Sequence, residues 1–310
     1  MGHGHSHSHP PGLHTHTPTG DFRLLAAVAV NVLLTVVQVA GGVLSGSLSL
    51  IADALHNLSD AGALVIAWVA RRIGRRPADG LQTFGYRRAE LVGALINATT
   101  LNVIGLYLVY EAAMRAIAPP PVAGWTVVIV AAVALAVDVA TALLTYTMAR
   151  RSLNVRAAFI HNVTDALGSV AVIVAGFLIV RYQWYLADAV ATFLIAGYAI
   201  YHGIAMTREA SRILTLGVPR DVHVPALAEA LRNVEGVADV HHLHVWALDE
   251  SERSFEGHVV IEQPDTRLAE RVTRSVRGVL SRHGISHATI ECEYGAVSAG
   301  CREGQVVTPH

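Results

Sequence analysis

Two pentapeptides, His56-Asn57-Leu58-Ser59-Asp60 and His161-Asn162-Val163-Thr164-Asp165, each place a histidine four residues before an aspartate inside a long apolar run. Residues i and i+4 share one face of an α-helix, so each set points an imidazole and a carboxylate the same way. Ionisable groups inside a bilayer are costly and face a partner or a water-filled path. Two nitrogens and two oxygens converging on one ion form a tetrahedral Zn²⁺ site, and the ion's charge offsets the buried carboxylates. Calcium and magnesium prefer all-oxygen cages of higher coordination, and no cysteine lies in the apolar runs to favour Cu⁺. The donors fix a geometry better than an element, so Zn²⁺, Cd²⁺, Co²⁺ and Ni²⁺ all remain candidate ions. Each ligand must lose its proton to bind metal. An acidic outer solution would therefore strip the ion and send the carrier back protonated, which predicts metal efflux driven by inward proton flow.

Six apolar runs, at roughly 23–44, 48–70, 89–113, 125–148, 157–180 and 184–206, position these sets. Each reaches the roughly 20 residues that a bilayer core requires. Hydrophobic residues make up 53% of the 310 and charged residues only 15%, with mean hydropathy +0.44, which suits an integral membrane protein with a soluble appendage. Net charge is −1, so nothing points to nucleic acid, and every basic residue is Arg. Arg71, Arg72, Arg75, Arg76, Arg87 and Arg88 fill the second loop, and Arg150, Arg151 and Arg156 the fourth. The positive-inside rule puts both loops, and with six crossings both termini, in the cytoplasm. At 1.5 Å per residue, Asp60 and His56 lie roughly 15 and 21 Å from the cytoplasmic end of their helix, and His161 and Asp165 roughly 12 and 18 Å from theirs. The two pairs therefore share a level near mid-membrane.

Residues 1–20 carry His3, His5, His7, His9, His14 and His16 among Gly, Ser, Thr and Pro, and lack the pattern of a secretory signal. The irregular alternation reads as a disordered, metal-gathering cytoplasmic tail rather than a purification tag. From about 208 the composition is that of a soluble domain: a helix over 225–234, strands over 237–248 and 255–262, a helix over 266–283 stopped by Gly284, and a strand over 288–294. This αββαβ order predicts a small α+β layer with its helices on one face. The division expected is tail 1–20, transmembrane domain 21–207, α+β domain 208–295 and flexible tail 296–310. Cys292 and Cys301 form no cysteine-based zinc module.

These residues resemble the cation diffusion facilitator family over nearly the whole chain, most closely its bacterial zinc/cadmium exporters. Beyond the two H-x-x-x-D sets, the likeness rests on Gly46-Ser47-Leu48-Ser49-Leu50-Ile51-Ala52-Asp53, on Phe84-Gly85-Tyr86 with Arg88 and Glu90, on Asn154-Val155-Arg156-Ala157-Ala158, and on His241-His242-Leu243-His244-Val245-Trp246. The resemblance implies a homodimer in the cytoplasmic (inner) membrane, alternating access, and metal–proton antiport. It also implies a ferredoxin- or metallochaperone-like cytoplasmic domain that dimerises. A regulatory Zn²⁺ there would use His241, His258 and Glu293, assisted by His287 and Glu291; surface histidines without metal are an equally open reading. Three residues depart from the family pattern. Gln38 stands where relatives often carry Glu, Leu216 where many carry an acid, and Asp138 where Asn is usual. Asp138 reads as a hydrogen-bonded neighbour or a water-path carboxylate, and Asp188 as a structural or water-path group. His202 has no evident role.

Two other classes compete. An intramembrane zinc hydrolase needs an open metal position and a general base, whereas four protein ligands fill the site and no spare Glu flanks either pair. A membrane metal sensor would need a signalling module, and none is recognisable in the soluble domain.

Overall fold

A computed structural model describes residues 18–149, 153–249, 251–294 and 306, with side chains described from 32 onward except 144–161. Six long helices come first: α1 Pro18–Ser45, α2 Leu48–Gly74, α3 Ala89–Ile117, α4 Gly124–Ala149, α5 Leu153–Tyr182 and α6 Leu186–Leu214. Among the described residues, five stretches, within α2 to α6, are long and apolar enough to cross a membrane, and Val32–Ser45 of α1 adds a shorter apolar helix. Two compact units divide the chain, one of residues 1–61 and 107–196, the other of 62–106 and 197–310.

In the first unit the usual distribution of polarity is inverted. Gln38, Asp53, Asp138, Asp188, Ser169 and Thr192 are buried, while Leu33, Leu44, Leu143, Leu167 and Leu194 face outward. Only a lipid surround rewards that arrangement. The α1–α2 corner is compact because Gly46 adopts φ +72°, where Ser47 N–H reaches Gly42 O at 3.1 Å and Gly46 N–H reaches Val43 O at 3.4 Å. That pair of bonds is a Schellman closure of α1. Helices α4 and α5 approach closely: a Cβ on Gly124 would lie 2.9 Å from Gly176 O, and one on Gly176 2.9 Å from Val128 Cγ2. Small residues at such crossings let membrane helices pack backbone to backbone.

The second unit contains the α+β domain, in which α7 Val224–Arg232, β1 Val237–Ala247, β2 Arg253–Ile261, α8 Thr266–Arg282 and β3 His287–Tyr294 follow the expected order. The sheet runs β1-β2-β3, with β1–β2 antiparallel and β2–β3 parallel, so α8 is the crossover between parallel neighbours. Val272, Val276, Val279 and Leu280 of α8 recur at helical spacing and share one core with Leu227 and Leu231 of α7 and with Leu243, Phe255 and Val259 of the sheet. Both helices therefore cover one face. Asp265 caps α8 by accepting from Arg267 N–H at 2.9 Å. Between His241 and His244 the register shifts, and His242 takes φ +53° at this bulge.

Candidate functional site

Helix α2 is held at its start. Ser47 Oγ accepts from Leu50 N–H at 3.2 Å as an N-cap. Asp188 of α6 accepts from Leu48 N–H at 2.7 Å and Ser49 N–H at 3.2 Å, and from the Ser47 and Ser49 hydroxyls at 2.6 and 2.7 Å. A carboxylate at a helix N-terminus meets both the orphan donors and the positive end of the dipole. Of its two candidate roles, the structural one is what the geometry displays.

Two turns further on, His56 Nε2 lies 3.7 Å from Asp60 Oδ2 and 3.5 Å from Asp165 Oδ1 of α5. The three ligand atoms fall within 4.8 Å of one another. A tetrahedron with bonds of about 2.1 Å has edges of about 3.4 Å, so only small adjustments would put these atoms on one ion. Side-chain exposures of 16%, 32% and 10% for His56, Asp60 and Asp165 leave the site partly open beside Asp60. His161 lies one turn before Asp165 in α5; its side chain falls outside the described residues.

Behind these three residues is a buried polar network that spacing alone did not assemble. Gln38 Nε2 donates to Asp53 Oδ2 at 2.6 Å, and Gln38 Oε1 accepts from Asn57 Nδ2 at 3.1 Å. Ser169 Oγ stands 3.5 Å from Asp53 Oδ2 and 3.2 Å from Asp138 Oδ2. Asn57 lies one turn after Asp53, and Ser169 one turn after Asp165, so polar residues at i+4 were the available signal. Glutamine suits position 38 because its amide donor faces a carboxylate, where a second acid would oppose like charge. The bond from Ser169 makes Asp138 a hydrogen-bonded neighbour. Gly168 leaves room for this approach, since a Cβ there would lie 3.2 Å from Asp53 Oδ1.

In the α+β domain, His241, His258 and Glu293 come together from β1, β2 and β3, their ligand atoms within 4.8 Å of one another. His258 Nδ1 lies 2.8 Å from Glu293 Oε1, and His241 Nε2 lies 3.4 Å from Glu293 Oε2. His241 is 1% exposed, and its Nδ1 meets no hydrogen-bond partner among the described residues. A buried imidazole so placed, with a carboxylate at tetrahedral-edge distance, fits a bound Zn²⁺. Glu291 Oε2 reaches His258 Nε2 at 3.5 Å. His287 does not join them: it opens β3, six residues before Glu293 on an exposed face, roughly 20 Å along the strand. His242 stacks on His258 at 4.9 Å, where the bulge turns it. His202 packs against the Tyr198 and Tyr201 rings. Leu216 is exposed, and seven residues earlier Glu209 pairs with Arg212 and, at 2.8 Å, with Arg220. The six tail histidines lie outside the described residues.

Comparison with known proteins extends over both parts. The cation efflux transmembrane domain matches residues 24–215, and the cation efflux protein cytoplasmic domain matches 219–294. The zinc transporter ZitB of Pectobacterium atrosepticum is 36% identical over 285 residues, covering 91% of this chain and 88% of the relative. The metal cation efflux system protein CzcD of Cupriavidus metallidurans is 34% identical over 281 residues, with 90% and 89% covered. The cadmium, cobalt and zinc/H(+)-K(+) antiporter of Bacillus velezensis is 31% identical over 289 residues, with 91% and 92% covered. With both domain models matched in order and relatives aligned over nearly their full length, the chain belongs to the cation efflux, or cation diffusion facilitator, family, a family of membrane transporters and not of enzymes.

Proposed function

We propose that this protein exports divalent metal cations from the cytoplasm in exchange for protons, with Zn²⁺ as its main substrate and Cd²⁺ accepted by the same site. The observation that carries this reading is the approach of His56, Asp60 and Asp165 to within 4.8 Å, from two helices of a membrane protein. His161, on the turn before Asp165, supplies the fourth ligand. Imidazole with carboxylate in a four-ligand set favours Zn²⁺, whereas Co²⁺ and Ni²⁺ are the runner-up substrates of the same carrier. Loading removes protons from the ligands, and protons arriving from the outer side release the ion. The carrier sits in the inner membrane with both termini cytoplasmic. Residues 21–207 carry the ion, and residues 208–295 dimerise and bind a regulatory Zn²⁺ through His241, His258 and Glu293, with Glu291 beside them. The tail histidines raise the local metal concentration. The relatives named for zinc, cadmium and cobalt support this substrate range.

The test is flux in proteoliposomes across a panel of Zn²⁺, Cd²⁺, Co²⁺ and Ni²⁺, for the native chain and Asp165→Ala, with the pH gradient imposed, abolished and reversed. Native flux should be greatest for Zn²⁺, follow the gradient, and fall at least 100-fold in the variant. Equal flux in both chains would refute the site, and flux indifferent to the gradient would refute the exchange.

A further inference from the structure

The end of α2, the loop to α3 and the β1–β2 turn, all within the second unit, enclose a cleft of roughly 840 Å³. Its walls bring Arg71, Arg75, Arg76 and Arg87 into one space with Glu90, Asp249 and Glu252. Arg87 is already committed, forming ion pairs with Glu252 and, at 3.5 Å, with Asp249. The acid within the loop is committed too: Asp79 accepts from Leu81 N–H and Gln82 N–H at 2.8 Å each and from Tyr86 Oη at 2.7 Å. Arg71, Arg75 and Arg76 are exposed and enter no ion pair among the described residues. Three arginines line one cleft with only Glu90 left to set against them, and that surplus of positive charge makes a site for an external anion. Their planar forks suit a phosphate oxygen better than a halide.

The surroundings identify which phosphate. One turn before Arg71 and Arg72, Trp68 is 62% exposed, and the Arg72 guanidinium lies 5.7 Å from its ring centre. A tryptophan and an arginine stacked at the end of a membrane-crossing helix mark the headgroup level. On the adjoining loop, Leu81 and Phe84 expose 90% and 68% of their surface. The hydrogen bonds of Asp79 fix that loop, so these side chains cannot simply fold inward. Phe84 lines the cleft itself, and Leu81 and Trp68 stand on the elements beside it; a soluble anion gains nothing from exposed apolar side chains there, whereas an acyl chain does.

We propose that this cleft binds an anionic phospholipid of the surrounding bilayer, with its phosphate on Arg71, Arg75 and Arg76 and its chains alongside Trp68, Leu81 and Phe84. The lipid then touches the same cleft that the β1–β2 turn closes through Asp249 and Glu252.

The test uses the full chain in a neutral detergent, titrated with fluorescent phosphatidylglycerol, with phosphatidylcholine and orthophosphate as separate arms. Phosphatidylglycerol should bind saturably and at least tenfold tighter than phosphatidylcholine, and millimolar orthophosphate should not displace it. Each arginine changed to Gln should weaken binding about fivefold, the factor that one interfacial basic residue contributes. Leu81→Ser with Phe84→Ser should also weaken it, with the arginines intact. Equal binding of the two lipids, an unaffected Arg71→Gln/Arg75→Gln/Arg76→Gln chain, or displacement by orthophosphate would overturn the proposal. Should the triple variant lose its circular dichroism, the exposed single change Arg75→Gln decides the matter in its place: fivefold weaker binding supports the site, and unchanged binding overturns it.

Discussion

Asp188→Ala tests whether the start of α2 is held by one buried carboxylate. Asp188 is 2% exposed and accepts four hydrogen bonds, from Leu48 N–H, Ser49 N–H and the Ser47 and Ser49 hydroxyls. The two hydroxyls lie 3.2 Å apart and can turn to each other when the carboxylate is lost. The two backbone donors cannot, because Leu48 and Ser49 are themselves buried. Each stranded donor costs about 1–3 kcal/mol. The lost charge at the helix N-terminus adds about 1 kcal/mol. The expected destabilisation is therefore about 5 kcal/mol. Asp188→Asn, which keeps one acceptor oxygen but turns an N–H₂ toward the remaining donors, should cost about half as much. Thermal unfolding of the detergent-solubilised chain, followed by helical circular dichroism, reads this directly: a domain of this size shifts about 2–4 °C per kcal/mol. A loss of about 10–20 °C is expected for Ala. An Ala variant melting within 2 °C of the native chain would refute the reasoning, since it would mean that the two N–H groups find other acceptors.

Two further expectations concern the second unit. Gly257→Ala would place a Cβ 2.6 Å from Leu243 Cδ2 and 2.7 Å from Phe255 Cζ, both in the core of the α+β domain. Overpacking there should cost about 1–3 kcal/mol, so amide exchange of the β1–β2 strands should quicken at least fivefold, and unchanged exchange would contradict the packing. In the loop before α3, the Tyr86 hydroxyl, followed by the Leu81 and Gln82 N–H groups, holds the Asp79 carboxyl below its usual range. For Asp249, burial acts upward, but hydrogen bonds from Ser251, Glu252 and Arg87 outweigh it and the net direction is down. Groups depressed in the folded state stabilise it fully above their unfolded pKa of about 3.9 and lose that contribution as pH falls through the lower folded value. Protection of the Leu81 and Gln82 amides should therefore hold from pH 8 to 5 and collapse only below about pH 4. Loss near pH 6 would point to another group.

What could be read from the chain divides along physical lines. Helices that cross lipid must be apolar throughout and satisfy their own backbone, so α2 to α6 stand out as runs, and a ligand pair at i, i+4 declares its common face. The strands of the α+β domain were legible for the same reason, because a period of two is local information. Partners across helices are not local. That Gln38 lies against Asp53, and Ser169 against both Asp53 and Asp138, follows from how α1, α2, α4 and α5 cross, and the close approach at Gly124 and Gly176 carries no periodic mark. The bulge that turns His242 onto His258 is equally silent in sequence. His287 shares the alternation of Glu291 and Glu293 yet lies at the wrong end of β3, since period two assigns a face and not a position along it. The hidden network bears on the visible site. Asp165 meets His56 one turn from where Ser169 meets Asp53, so any motion that parts α2 from α5 separates both pairs together. Parting α2 from α5 would thus open the His56–Asp165 approach and the Asp53–Ser169 contact together, while the Ser169–Asp138 bond, which joins α5 to α4, need not change.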